Sequence, residues 1–251
     1  MYLKVIACEV LARAVYAAAA TSPHVVDVEL VPKGLHETPA ALRAELQRRV
    51  QLADAEAYDA IALAYGLCGN ATQGLVAGTK RLIVVRAHDC ITLYLGSRRR
   101  YQEESVAHPG TYYYCDDYVE RSQLSTGGTF TALGAGSDAD RLQETYQEYV
   151  RLYGEDNARY LMEVMGAWQR HYSRAAYIDM GIAPPGACRE LALDEATRRG
   201  WTFVDLKGDD CLIRRLVHGE WDADLLVLEP GQRLLGTYDD SVMAGEEAPL
   251  A

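Results

Sequence analysis

The apolar positions of the chain fall into short runs separated by helix-spaced patterns. Leu3 to Cys8 reads as a strand, followed by an Ala-rich helix from about Glu9 to Ala20. Val25 to Val31 (VVDVELV) is a second strand. From Pro39 to Ala53, Leu42, Leu46 and Val50 recur at helical spacing and mark one face. Ile61 to Tyr65 and Arg81 to Val85 (RLIVV) are the third and fourth strands. This β-α-β-α-β alternation predicts a mostly parallel sheet with helices on both faces.

The rhythm returns near the C-terminus. Ala175 to Met180 mirrors Leu3 to Cys8, and a helix from about Ala187 to Arg199 follows. Trp201 to Leu206 then mirrors Val25 to Val31, and a helix from Asp209 to His218 leads to a strand at Asp224 to Leu228. The expected fold class is therefore α/β, with two similar, mostly parallel βαβαβ halves and a Tyr-rich helical insert between them. The halves are expected over 1–121 and 174–235, the insert over 122–173, and a poorly ordered acidic tail over 236–251. Within the insert, Ser122 to Ser137 predicts a mobile loop. Leu142, Tyr146, Tyr149 and Tyr153, then Leu161, Val164, Trp168 and Tyr172, predict a helical hairpin or kinked helix with an aromatic packing stripe. Of the 17 tyrosines, 12 lie between Tyr94 and Tyr177. That concentration suits a subdomain over a partly wet cleft or a dimer interface, so a homo-oligomer is expected.

Charge narrows the partners. Lys plus Arg number 25 against 36 Asp plus Glu, a net charge of −11. Bulk attraction to nucleic acid or an anionic membrane is therefore not expected. No basic-apolar-cleavage pattern opens the chain, and no apolar run is long enough to span a bilayer. The expected location is cytoplasmic, where thiols stay reduced. The six cysteines then point to metal ligation, catalysis or plain burial instead of a disulfide framework.

Three of the six have matching positions. Cys8 ends the first strand, Cys68 follows the third in AYGLCGN, and Cys90 follows the fourth in VVRAHDC. Parallel strands open their C-terminal ends on one edge of the sheet, where α/β proteins place ligands. The expected metal ligands are Cys8, Cys68 and Cys90, with His88 beside them. Thiolates and imidazole suit zinc first and a three-cysteine iron–sulfur cluster second. Helix N-termini beyond the strands are expected to lower the thiol pKa values. Gly66, Gly69 and Asn70 predict a tight turn into a helix, with Asn70 as N-cap and the turn amides able to hold an anion. Arg86 is a candidate for a substrate carboxylate, and Asp89 for orienting a ligand. Cys68, His88 and Asp89 are the catalytic candidates. Cys115, Cys188 and Cys211 read as small buried hydrophobes.

The blocks IACEVL, AYGLCGN, RAHDCITLYLGS and PGTYYY resemble the domain of unknown function 1638 family. Weaker likeness extends to YID at Tyr177 to Asp179, LKGDD around Asp209 and LEPG near Pro230. The resemblance points to Cys8, Cys68, His88, Asp89 and Cys90. Ala71 departs from it, where Gly is expected, and so does Cys115, where another residue is expected. Members are often encoded beside corrinoid-dependent methyltransferases. The resemblance thus implies one-carbon metabolism, with a corrinoid protein or methyltransferase as partner and a corrinoid contributed by that partner.

Three functional classes follow. The first is a metalloprotein of methyl transfer, which if catalytic is a metal-dependent methyltransferase. The second is a non-catalytic corrinoid or metal chaperone, or accessory subunit. The third is a metal-free cysteine enzyme, because GLCGNAT is similar to the Cys-Asn-Thr turn of aspartate/glutamate racemases.

Overall fold

In the computed structural model, residues 1–126, 150–151, 154–155, 172–182, 186–237 and 239–248 are described. The expected helical hairpin of the insert lies almost wholly outside them. Two compact units result: Met1–Gln102 with Met180–Pro184 and Lys207–Ala251, and Glu103–Asp179 with Pro185–Leu206.

The first unit is built on a five-stranded sheet. Strand β1 (Tyr2–Cys8) is followed by a single 3-10 turn and helix α1 (Ala12–Thr21). Then come β2 (Val25–Val31), α2 (Pro39–Asp54), β3 (Ala60–Ala64) and β4 (Arg81–Val85). The strand order is β2-β1-β3-β4, all parallel, with a fifth strand beyond β4. Every side chain of β3 and all but the first of β4 are buried, which explains their unbroken apolar runs. On α2, Leu42, Leu46 and Val50 are fully buried, as their spacing requires. The chain runs β1 to β2 in one direction and then crosses back over β1 to β3, so the order reverses between β1 and β3. In α/β sheets that reversal opens the ligand crevice.

The later elements of this unit differ from a second parallel half. Helix α3 (Cys90–Leu95) and helix α4 (Arg98–Ala107) follow β4. Strand β8 (Leu225–Leu228) pairs antiparallel with β4 and closes the sheet. A four-residue apolar run specifies burial but neither partner nor direction. The segment from Gly236, expected as a poorly ordered tail, carries a strand among its described residues. Strands β9 (Gln232–Gly236) and β10 (Met243–Glu247) form an antiparallel hairpin with Leu234 and Met243 buried. Glu247 of β10 is exposed, and Glu246 pairs with Arg233 of β9.

The second unit holds a three-stranded sheet in the order β5-β6-β7. Its elements are β5 (Thr111–Tyr114), α5 (Asp116–Thr126), β6 (Arg174–Asp179), α6 (Cys188–Arg199) and β7 (Thr202–Lys207). Its core contains Tyr114, Tyr177, Cys115 and Cys188. Helix α7 (Cys211–Val217) belongs to the first unit, where it packs on α1. The chain is thus mixed α/β with a mostly parallel central sheet. No helix among the described residues is long and apolar enough to cross a membrane.

Candidate functional site

Four strand ends converge on the edge that the cysteines predicted. Cys8 is the last residue of β1 and is 2% exposed. Its Sγ lies 3.4 Å from Nε2 of His36. His36 sits in a 3-10 turn, Lys33–Glu37, between β2 and α2. That turn is tied back to β1, because the Lys33 amide donates to Glu9 Oε1 at 2.7 Å. The His36 ring stacks on Tyr65, centroids 5.8 Å apart and planes at 16°. Tyr65 follows β3 directly and is 1% exposed. Its hydroxyl meets no nitrogen or oxygen partner and interacts with the Cys8 sulfur. Cys8 and Cys68 both act on it electrostatically.

Cys68 sits on an unusual turn. It has φ +47°, Gly69 has φ +65° and Asn70 has φ +67°, so three successive residues are left-handed. Cysteine pays a steric cost there that glycine does not. The turn is pinned from beneath: the Leu67 amide donates to Ala87 O and the Cys68 amide to His88 O, both at 2.9 Å. Thr72 Oγ1 donates to Gly66 O at 3.0 Å. Gly66 allows this close approach, since a Cβ there would lie 2.7 Å from Ala87 O and 2.8 Å from Asp89 N. No helix follows, so Asn70 is not an N-cap. Its carbonyl instead accepts from Arg43 at 3.1 Å. The chain runs through turns that dock on β9, where Ala77 donates to Gln232 O at 2.9 Å.

The loop after β4 carries the remaining candidates. Asp89 is the N-cap of α3: its Oδ1 accepts from the amides of Ile91 at 3.0 Å and Thr92 at 3.4 Å. Its Oδ2 accepts from Tyr101 at 3.3 Å. Cys90 is the first residue of α3 and half-buried. The His88 side chain is exposed, with its ring 5.8 Å from that of Tyr101. Arg86 is engaged by the hairpin, where its guanidinium donates to the carbonyls of Ser241 at 3.1 Å and Met243.

The structure therefore sets His36 against Cys8, stacks Tyr65 on His36, and places Cys8 and Asp89 close enough for their charges to act on Cys68. Electrostatics correct one expectation. Burial pushes the Cys8 thiol up to about 11. Burial, then the nearby Cys8 and Asp89, push the Cys68 thiol up further. Desolvation outweighs any helix-end dipole, and Cys68 precedes no helix. His36 is pushed down to about 4, by burial first and Lys33 second, so its imidazole is neutral at pH 7. Asp89 is raised, chiefly by burial. Two thiols and a neutral imidazole are the donor types that zinc takes. No group of three or more His, Cys, Asp or Glu among the described residues is already arranged to hold a metal ion.

His36 and Tyr65 are the residues that spacing missed. The reasoning that selected Cys8, a position just beyond a parallel strand, applies equally to a histidine following β2. Of the other cysteines, Cys115 and Cys188 are buried at 2% each, and the Cys211 thiol donates to Gly96 O at 2.8 Å.

The family model described as protein of unknown function (DUF1638) matches residues 30–217. That is well over half of the 251 residues. The chain belongs to the DUF1638 family. The match contains the DUF1638 chain's His36, Tyr65, Cys68, His88, Asp89 and Cys90, and begins after Cys8. No curated protein and no solved structure matches this DUF1638 chain significantly.

Proposed function

We propose that this DUF1638 chain is a cytoplasmic thiol–metal protein of one-carbon metabolism, acting in methyl transfer beside a corrinoid protein. The observation that carries the reading is the placing of Cys8 and Cys68 on one sheet edge at the reversal of strand order, with an imidazole 3.4 Å from Cys8. The donor types favour zinc, with an iron–sulfur cluster as the other candidate. When bound, such an ion supplies the charge that holds an incoming thiol as a thiolate, the form able to accept a methyl group. Cys8 and Cys68 would hold the ion. The buried walls formed by Tyr65 and β3 would exclude water, and Asp89 would fix the loop beside Cys68. The one-carbon assignment and the corrinoid partner rest on the family resemblance.

A second reading is supported by the same pair of thiols. A buried and a half-buried cysteine at neighbouring strand ends are also what a metal-free cysteine enzyme would use. A chaperone or accessory role uses the same metal site without turnover. Elemental analysis of anaerobically purified protein separates the first reading from the second. Zinc or iron present in wild type and lost in Cys68→Ser supports a metal site. Metal absent from both variants, with a Cys68 thiol reactive at neutral pH, supports the cysteine enzyme.

A further inference from the structure

We propose that Arg86 and Arg98 form a site for a small oxyanion at the end of β4, and that the segment Asp239–Met243 of the C-terminal hairpin holds this site shut until a carboxylate or phosphate displaces it.

Three observations point the same way. First, two guanidiniums share this corner of the sheet. Arg86 follows β4 directly and is half-buried. It is pushed below its ordinary pKa, by burial first and by the charge of Arg98 second. Arginine stays charged all the same, so two cations stand close together at the edge where α/β sheets place ligands. Second, neutral groups hold the Arg86 fork. It donates to the carbonyls of Ser241 at 3.1 Å and Met243. Among the described residues no carboxylate forms an ion pair with it, while Asp239 and Asp224 act on it through charge. Those two carboxylates are engaged elsewhere. Asp224 accepts from Arg98 at 2.9 Å and from Arg215 at 2.8 Å. Asp239 accepts from the Thr237 hydroxyl at 2.8 Å and the Ser241 amide at 2.9 Å. Arg98 also donates to the Asp240 carbonyl at 2.7 Å. A guanidinium fork binds a carboxylate or phosphate through two parallel bonds, and more strongly than it binds a neutral carbonyl. Third, the segment is strained where Arg86 grips it. Val242 lies between the two carbonyls that hold Arg86 and has φ +64°. A β-branched residue rarely adopts that conformation, and it keeps it only while its surroundings impose it.

Strand β9 is anchored independently of the arginines. The Gly74 amide donates to Leu234 O at 2.7 Å, and the Leu234 amide donates to Leu75 O at 2.8 Å. The segment after β9 can therefore lift from Arg86 and Arg98 while β9 stays docked. Lifting carries the charges of Asp239 and Asp240 away, and the bound anion takes their place beside both guanidiniums. No covalent bond changes.

The test follows hydrogen exchange at residues 239–243 of the full-length chain, read by mass spectrometry, as inorganic phosphate or acetate is added. Sodium chloride at matched ionic strength is the reference. An anion that binds only the open form multiplies the open population about tenfold when present at about ten times its dissociation constant for that form. Exchange at 239–243 is therefore expected to quicken about tenfold with phosphate or acetate and to keep its reference rate in chloride, with β1 to β4 unchanged throughout. A response to phosphate alone assigns a phosphate site, and a response to acetate alone assigns a carboxylate site. Arg86→Gln is expected to exchange fast without anion and to respond to neither. Circular dichroism confirms that this variant is folded; Arg98→Gln, with the same loss of response expected, carries the test otherwise. Unchanged exchange in wild type, an equal effect of chloride, or a full response in the folded variant overturns the inference. Each of those outcomes leaves the thiol–metal reading untouched, since none involves Cys8 or Cys68.

Discussion

The Cys8 thiol and the His36 imidazole, 28 positions apart in sequence, meet at 3.4 Å. Burial beside Cys8 holds His36 at about 4, well below the ordinary histidine value of 6.5. The unfolded chain therefore binds more protons than the folded chain between those two values. Stability from this group is complete above about pH 6.5 and is lost as pH falls toward 4, by on the order of 3 kcal/mol. Urea unfolding of the metal-free protein from pH 7 to 4 measures this. His36→Gln should flatten the acid limb by a comparable amount.

The left-handed turn at Cys68 predicts a conflict between stability and function. At φ +47° a Cβ is strained. Cys68→Gly should raise the stability of the metal-free chain by up to about 1 kcal/mol while abolishing thiol-dependent metal binding. A denaturation midpoint together with a cobalt titration checks both halves. A destabilised Cys68→Gly variant would mean that the side chain is held there by packing alone.

Gly66 is fixed by contact with backbone, not by its own dihedral angle. Added bulk would meet the Ala87 carbonyl at 2.7 Å and the Asp89 amide at 2.8 Å, and neither can rotate away. Gly66→Ala is expected to cost about 1–3 kcal/mol and to shift the Cys68 turn off the loop after β4. Thermal unfolding reads the first effect, and the rate of Cys68 alkylation reads the second.

Arg86 links the end of β4 to the C-terminal hairpin through the carbonyls of Ser241 and Met243. Arg86→Ala removes charged donors from carbonyls that β10 needs satisfied. Limited proteolysis should then cut near Ser241 much faster than in wild type, with the five-stranded sheet intact by circular dichroism. Equal cutting rates would show that the hairpin is held by its own pairing and by burial of Leu234 and Met243.

Much of the first sheet was legible because each strand carries its own burial in its composition. Val25–Val31 and Arg81–Val85 occur as the apolar runs indicate. The edge bearing Cys8 and Cys68 followed from strand direction alone. Other features depend on contacts distant in sequence. Helix α4 has no buried residues, so RRRYQEESVA shows no helical apolar face. β8 joins β4 across about 140 positions. His36 escaped notice because the link between its turn and β1 is a Glu9 side chain on a backbone amide, which leaves no periodic trace. The desolvation that raises both thiols depends on packing from several strand ends at once.

The proposed function requires that Cys8 and Cys68 hold a thiophilic metal. The most direct measurement is the zinc and iron content of anaerobically purified full-length protein, wild type beside Cys68→Ser. Stoichiometric metal is expected in wild type, with its loss in Cys68→Ser. Negligible zinc and iron in both, or equal metal in both, would contradict it.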